Sequence, residues 1–410
     1  MRRVVVIGAG AAGCMATIFA AAGGAETTLL ERTLDGGRKI LISGGGRCNV
    51  LPARLDESRF VTDSSPNTLR KLVRAWPLPE QIAFFEHELG LRLVEEEESA
   101  KLFPATNRAR DVRDGLLALA ARRGARLVTG TRVTGIAPDG PVWRVACEGA
   151  PALEADAVVV ATGGLSVPNT GSDGAGLHWL ERLGHALNPT YAALTPITAQ
   201  PAPFAALAGI SLRVSLSARG AGRTAEATGG FLFTHRGYSG PAVLDVSHVL
   251  VRARLEGADP AARLLVRWTP HGDEAWQALL QPRGTRAVAT VLRAELPDRL
   301  AAALLELARV DPARSLADLT RDERRRLIDA LVRCELPWTG DEGYRKAEVT
   351  GGGVALAEID PRSMESRRQP GLFLCGEVLD AFGPIGGYNF YWAWATGRAA
   401  GQGAARQAAT

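Results

Sequence analysis

No two of the five cysteines, Cys14, Cys48, Cys147, Cys334 and Cys375, stand close together, and no CxxC occurs. Zinc, iron–sulfur and dithiol redox chemistry therefore lack a ligand set, and electrons are not expected to pass through a disulfide. His87, His178, His185, His248 and His271 show no metal-ligand spacing either, so no metal is expected. No apolar run approaches the roughly 20 residues needed to cross a bilayer, which argues against a membrane protein. A secretion signal is mimicked by Met1-Arg2-Arg3 and the following Val4 to Ile7, but Gly8, Gly10 and Gly13 interrupt it, and a cytoplasmic protein is expected. An excess of one sign of charge is nearly absent as well: the net +4 over 410 residues neither requires nor excludes nucleic acid. Short repeats and low-complexity tracts are missing. What remains is a globular composition, 46% hydrophobic and 22% charged, with length enough for two or three compact units.

Arg3 to Ile7 reads as a buried strand, and Gly8-Ala9-Gly10-Ala11-Ala12-Gly13 follows it as GxGxxG at a strand-to-helix turn. Gly8 suits the tight turn, Gly10 admits a pyrophosphate to the backbone, and Gly13 lets the helix lie close to the sheet. Ala11 and Ala12 open that helix, expected over Ala11 to Ala22, and its free amides and positive dipole end face the phosphates. The next strand, Thr27 to Leu30, ends in Glu31 with Arg32 beside it. An acidic residue about 20 positions after the loop accepts ribose hydroxyls and disfavours a 2′-phosphate.

Three further glycine-bearing segments exceed the needs of a nicotinamide dehydrogenase. Gly36 to Asn49 combines Arg38, Lys39 and Arg47 with Gly44, Gly45 and Gly46, exposing amides and positive charge to a diphosphate or a ring nitrogen. Ala157 to Val160 runs into Ala161, Thr162, Gly163 and Gly164, where the chain can pass close to a flat ligand. Gly371 to Leu374 leads to Gly376, Glu377 and Asp380, then to Gly386, Gly387, Tyr388 and Asn389 before a helix from about Phe390. FAD needs phosphate, ribityl and ring contacts from separate segments, and these supply them.

Together the motifs GAGAAG, GRKILISGGGRCN, VVVATGG with TGSDGAG, GFLFTHRGYSGPAVLDVS and GEVLDAFGPIGGYN resemble a family of bacterial FAD-dependent oxidoreductases with a two-dinucleotide-binding-domain flavoprotein fold. That family includes aminoacetone oxidases, bile-acid flavoproteins and ribosomal RNA dihydrouridine synthases. The resemblance covers nearly the whole chain. It implies that Gly45, Gly46 and Arg47 lie near the flavin ring or diphosphate, and that the backbone of Val133 contacts adenine. One departure follows Gly-Gly-Tyr-Asn, where Phe390 and Tyr391 replace an expected leucine and glutamine. A changed substrate is the implied consequence if that segment faces it.

The fold expected is α/β, a Rossmann-like FAD-binding domain with a β-barrel-like plus helical insertion. Its N-terminal part spans 1–190, with a strand meander near Arg126 to Val145; a β-rich insertion takes 191–273, a helical one 274–345, and the FAD domain closes over 346–410. Residues 192–345 contain 20 Arg and no Lys against 17 Asp plus Glu, so the insertion carries +3 of the net charge. Glu95 to Glu98 reads as a solvated acidic turn. Gly351-Gly352-Gly353 has the wrong spacing for a second nucleotide loop, with Val354 to Leu356 expected as a strand behind it. Reducing equivalents are therefore expected from transient NAD(P)H, or to leave to oxygen.

For proton transfer the candidates are His235, near a helix that Ser239 is expected to cap, Cys48, whose thiol beside Arg47 is expected to have a lowered pKa, and Tyr388. Substrate is expected between the flavin and the insertion. The activity expected is hydride exchange with a carbon centre: reduction of an activated C=C, including uridine in ribosomal RNA, or oxidation of a C–N bond in a small amine. The alternative from another class is a non-catalytic FAD-dependent RNA-binding or assembly factor. The purified protein should be yellow and should release FAD on acid or heat treatment, checked by chromatography of the released flavin. Recovery of FMN instead would remove the adenosine site from the argument.

Overall fold

The computed structural model describes residues 1–406, so the last four residues of the expected C-terminal part, 407–410, lie outside the described residues. The chain divides into two compact units, Met1–Ala192 together with the chain from Glu348 onward, and Ala193–Ala347.

In the first unit five parallel strands form one sheet: β1 (Arg3–Ile7), β2 (Glu26–Leu30), β3 (Arg126–Val128), β4 (Ala157–Val160) and β5 (Leu372–Leu374), in the order β5-β4-β1-β2-β3. Val4 of β1 pairs with Ala157 on one side and Thr27 on the other, and the run Val4 to Ile7 is buried on both faces. That double burial is why these strands read as unbroken apolar runs. The sequence placed Arg126 in a meander; it instead starts edge strand β3, and the antiparallel meander is Val133–Asp139, Val142–Cys147 and Ala150–Ala155.

Helix α1 (Ala11–Ala22) follows β1, and α3 (Tyr388–Ala405) packs along it; α2 (Arg38–Ile42) is a single turn and a half between them in sequence. The α1–α3 contact is backbone to side-chain-free backbone. A Cβ on Gly397 would strike Ala12 O, and one on Gly401 would strike Ala16 O. Helix α3 starts at Tyr388, two residues before the expected position.

The second unit holds a seven-stranded antiparallel sheet, with a long hairpin of Ser211–Gly220 and Arg223–Thr234 at its centre. Helices Asp273–Leu279, Val288–Arg293, Asp298–Ala308 and Arg321–Val332 share one core with that sheet, including Trp268, Trp276, Leu304 and Leu327. The β-rich and helical stretches are thus a single packed body. Helix Pro241–Leu255 is capped by Gly240 at φ 96°, not by Ser239, because a Cβ there would lie 2.7 Å from Gly230 O. Gly351 to Gly353 lie inside strand Val349–Val354, whereas Leu356–Glu358 is a 3₁₀ turn, so the strand includes the glycines instead of following them. Among the described residues no helix is long and apolar enough to cross a membrane.

Gly401→Ala should cost about 1–3 kcal/mol by overpacking the α1–α3 contact. Gly115→Ala, in helix Ala109–Arg122 where the new methyl meets Leu91 at an ordinary 3.5 Å, should gain about 0.5–1 kcal/mol. Urea unfolding of the two variants tests both signs.

Candidate functional site

One cavity runs across the carboxyl ends of the parallel strands, where open α/β sheets bind ligands. Gly8, Gly10, Ala11 and Ala12 form its wall at the end of β1. Gly8 has φ 102°, and a Cβ on it would lie 2.6 Å from Ala161 O; one on Gly13 would collide with Gly8 O. Gly13 thus lies beneath the loop as packing, while a Cβ on Gly10 would meet nothing within 4 Å. The open space over Gly10 and the uncapped N-terminus of α1 form a cradle for a diphosphate.

After β2, Glu31 is buried yet lines the cavity. Its Oε2 accepts the Ala9 amide at 2.8 Å, and its Oε1 accepts the amide and hydroxyl of Thr33, each at 2.8 Å. A carboxylate offers about four acceptor positions, so one remains for a ribose hydroxyl. Arg32 pairs with Asp173, and Val133 lines the same end with Thr131 and Arg132.

Past β4 the wall continues through Ala161, Thr162 and Gly163. Thr162 Oγ1 is buried without a hydrogen-bond partner among the described residues. That oxygen lies against Gly176 of helix Ala175–Arg182, where a Cβ would stand 2.0 Å from it, so it is packed behind the wall. Past β5 come Gly376 and Glu377, held by α3: Thr396 accepts the Gly376 amide at 3.0 Å and Trp392 Nε1 donates to Gly376 O at 3.1 Å. Gly386, Gly387 and Asn389 bring the N-terminus of α3 to the wall, and Asn389 bridges both the amide and carbonyl of Gly383 at 2.9 Å.

Lys39 and Glu377 form an ion pair on the cavity wall. Lys39 Nζ donates to Glu377 Oε2 and to Ser166 Oγ, both at 2.8 Å. Glu377 Oε1 accepts from Ser166 Oγ at 2.6 Å and from the Thr350 amide at 3.0 Å. Burial alone pushes this carboxyl up, but the Lys39 charge and the hydrogen bonds outweigh it and hold Glu377 below the ordinary carboxylate range. Arg38 lines the cavity too, with its guanidinium turned to Asp35 at 2.8 Å.

Other residues singled out from the sequence lie outside this wall. Gly44, Gly45 and Gly46 form a left-handed turn after α2. Arg47 pairs with Glu96 at 2.9 Å and covers the Phe103 ring at 4.1 Å; Glu96 therefore ends a strand and binds a partner, and only the next residues turn. Asp380 spends its Oδ2 on the Asp63 amide at 3.0 Å and on Ser64 and Asn188 at 2.8 and 2.7 Å, tying loops together. Tyr388 packs on Phe60, and its hydroxyl accepts the Asp56 amide at 3.2 Å. Cys48 reverses expectation: its thiol is fully buried, and burial pushes its pKa up to about 12 despite a hydrogen bond from Ser43. His235 lies in the second unit, on the exposed turn joining its strands Arg223–Thr234 and Gly237–Ser239.

The sequence reading missed Trp179, Asn49, Glu348, Phe382 and Trp392, all of which line the cavity. Asn49 closes the GGGRCN motif and Trp392 falls one turn after Asn389, so both had a signal; Trp179 and Glu348 had none. Phe390 also lines the cavity, stacked 5.3 Å from Trp394 with planes 8° apart, whereas Tyr391 is buried and donates to Val73 O at 2.7 Å.

A parallel dinucleotide-binding sheet, a glycine loop with its acidic partner, and one long cavity served by two helix N-termini define an FAD-dependent oxidoreductase. The residues fit FAD, through the open space at Gly10 and the spare acceptor on Glu31. The chain belongs to the family described as HI0933-like protein Rossmann domain, whose model matches residues 2–403. It is 31% identical over 415 residues to the 3-dehydro-bile acid delta(4,6)-reductase of Clostridium scindens, covering 99% of this chain and 100% of that one. It is 32% identical over 412 residues to the ribosomal RNA dihydrouridine synthase of Escherichia coli, covering 97% and 96%. Among solved structures, the 3-ketosteroid delta1-dehydrogenase of Sterolibacterium denitrificans shares the fold at TM-score 0.56 and 12% identity, over 98% of this chain and 99% of that one. A flavocytochrome c3 fumarate reductase does so at 0.51 and 16%, over 98% and 78%.

Glu31→Ala should weaken FAD binding by about 1.5–3 kcal/mol, the size of hydrogen bonds to a charged group, with the Ala9 amide losing its partner too. Equilibrium dialysis of the apoprotein with FAD checks this, and unchanged affinity would move the ribose site elsewhere.

Proposed function

We propose that this oxidoreductase reduces a carbon–carbon double bond conjugated to a carbonyl. The observation that carries this reading is that two relatives matched over nearly their whole length, at 31% and 32% identity, are named for different substrates but for the same bond change. A bile-acid Δ4,6 system and the uracil ring each present an alkene activated by a carbonyl. When bound, FAD supplies the hydride, which goes to the β-carbon of such an alkene, and a proton completes the α-carbon.

The chain's own residues then have three tasks. Glu31 and the amides at the start of α1 bind the adenosine diphosphate half. Phe382, Ile385, Phe390 and Trp392 give part of the cavity wall an apolar surface that excludes water. For the proton we favour His235: it is exposed on its turn, whereas Cys48 is buried with its proton tightly held and Tyr388 is tied to the Asp56 amide. Among the described residues the second unit's sheet is antiparallel, so no second nucleotide-binding sheet accompanies the first. That supports a hydride donor, such as a reduced nicotinamide, that visits and leaves.

The test is anaerobic. NADH or NADPH should bleach the flavin, and an α,β-unsaturated ketone or a uridine-containing RNA should restore its absorbance with the saturated product. Restoration by oxygen alone, or bleaching by small amines, would replace this reading with an oxidase. His235→Ala should slow reoxidation by the alkene about 10²–10⁴-fold while leaving flavin content unchanged.

A further inference from the structure

Lys39 holds a position in the cavity that the other basic side chains of its wall do not share. Those others are three, Arg32, Arg38 and Arg132. Arg32 and Arg132 stand after β2 and just beyond β3, near Glu31, and are paired with Asp173 and Glu148. Arg38 is spent on Asp35. Lys39 is instead anchored on the far side of the sheet order, by Ser166 beyond β4 and Glu377 beyond β5. A dinucleotide with its adenosine at Glu31 and its diphosphate at the Gly10 to Ala12 amides extends its flavin half towards β4 and β5. Lys39 is therefore the basic side chain of the wall fixed on the flavin side.

Its chemistry suits that place. An ammonium has three donors, and two are committed to Ser166 and Glu377. The third has no partner among the described residues, and the side chain remains 27% exposed to the cavity. The Glu377 carboxylate, meanwhile, is drawn into the scaffold by Ser166 and the Thr350 amide. Gly164 is required for this arrangement, since a Cβ there would lie 2.6 Å from Thr350 Cβ and 3.0 Å from Glu377 Oε1.

We propose that Lys39 is the cation that stabilises the negative charge the flavin ring gains on reduction, with Glu377 and Ser166 as the positioning residues that hold it. A hydride from a reduced nicotinamide brings two electrons and one proton to the ring, which ends with one added negative charge. The Lys39 ammonium offsets that charge within the cavity. The inference goes beyond the choice of double bond and depends only on FAD.

The experiment uses FAD-loaded protein and no alkene. Sulfite forms one bond from its sulfur lone pair to the oxidised ring and leaves one negative charge there, so its affinity, read from flavin absorbance, reports anion stabilisation. Lys39→Met should weaken sulfite binding at least tenfold, and Lys39→Arg should stay within threefold of wild type. Glu377→Gln, which leaves Lys39 charged and uncompensated, should tighten it. The reduction midpoint, measured by equilibration with reference dyes, should fall in Lys39→Met and be restored in Lys39→Arg. A midpoint in Lys39→Met equal to wild type overturns the proposal whatever sulfite does. Loss of FAD affinity in Lys39→Met with an unchanged midpoint in the loaded fraction also overturns it, and assigns the ammonium to the phosphates.

Discussion

Everything in the FAD-binding unit depends on how closely α1 can approach its neighbours. Gly13 brings it against the carbonyl of Gly8, and Gly397 and Gly401 bring α3 against the carbonyls of Ala12 and Ala16. Packed interiors transmit small displacements because they have little free volume. A methyl group at any of these contacts would shift the amides of Ala11 and Ala12 away from the diphosphate cradle. Fold stability and cofactor affinity are thus two readings of one steric constraint.

That constraint is joined to an electrostatic one. Glu31 links the glycine loop to the turn after β2 through the Ala9 and Thr33 amides, so the ribose acceptor and the phosphate loop cannot move independently. At the other end, Lys39, Ser166, Thr350 and Glu377 join four segments in one hydrogen-bonded cluster. Breaking such a partly buried pair leaves an uncompensated charge, which costs far more than losing a surface ion pair. The cavity is held at both ends for different reasons, steric at the glycines and ionic at the Lys39–Glu377 pair.

The parts legible in the sequence were the local ones. Strand β1, the glycine loop, α1 and Glu31 lie within one βαβ unit, where spacing and glycine placement carry the information. The Lys39–Glu377 pair spans 338 positions and Lys39–Ser166 spans 127, and no periodicity encodes such partners. Arg47 shows the converse: it stands in a specific motif beside three glycines, yet Glu96, read as a solvated turn, draws its guanidinium out of the wall. Cys48 was read from its neighbours in sequence, Arg47 among them, but burial sets its titration. The glycine triplet at 351–353 looked like a failed nucleotide loop, while its backbone is a strand beside Leu187–Ala193.

The chain leaves the FAD-binding unit at Ala192 and returns only at Glu348. On a ribosome this order matters, because domains fold largely in the order they are made. The glycine loop and Glu31 emerge first, but β5, Glu377 and α3, which flanks α1, are made only after the intervening unit. Until then α1 lacks the helix it packs against and Lys39 lacks its carboxylate. The nascent chain therefore carries half a cofactor site through the whole synthesis of the intervening unit, and capture of FAD waits until β5 and α3 have followed it.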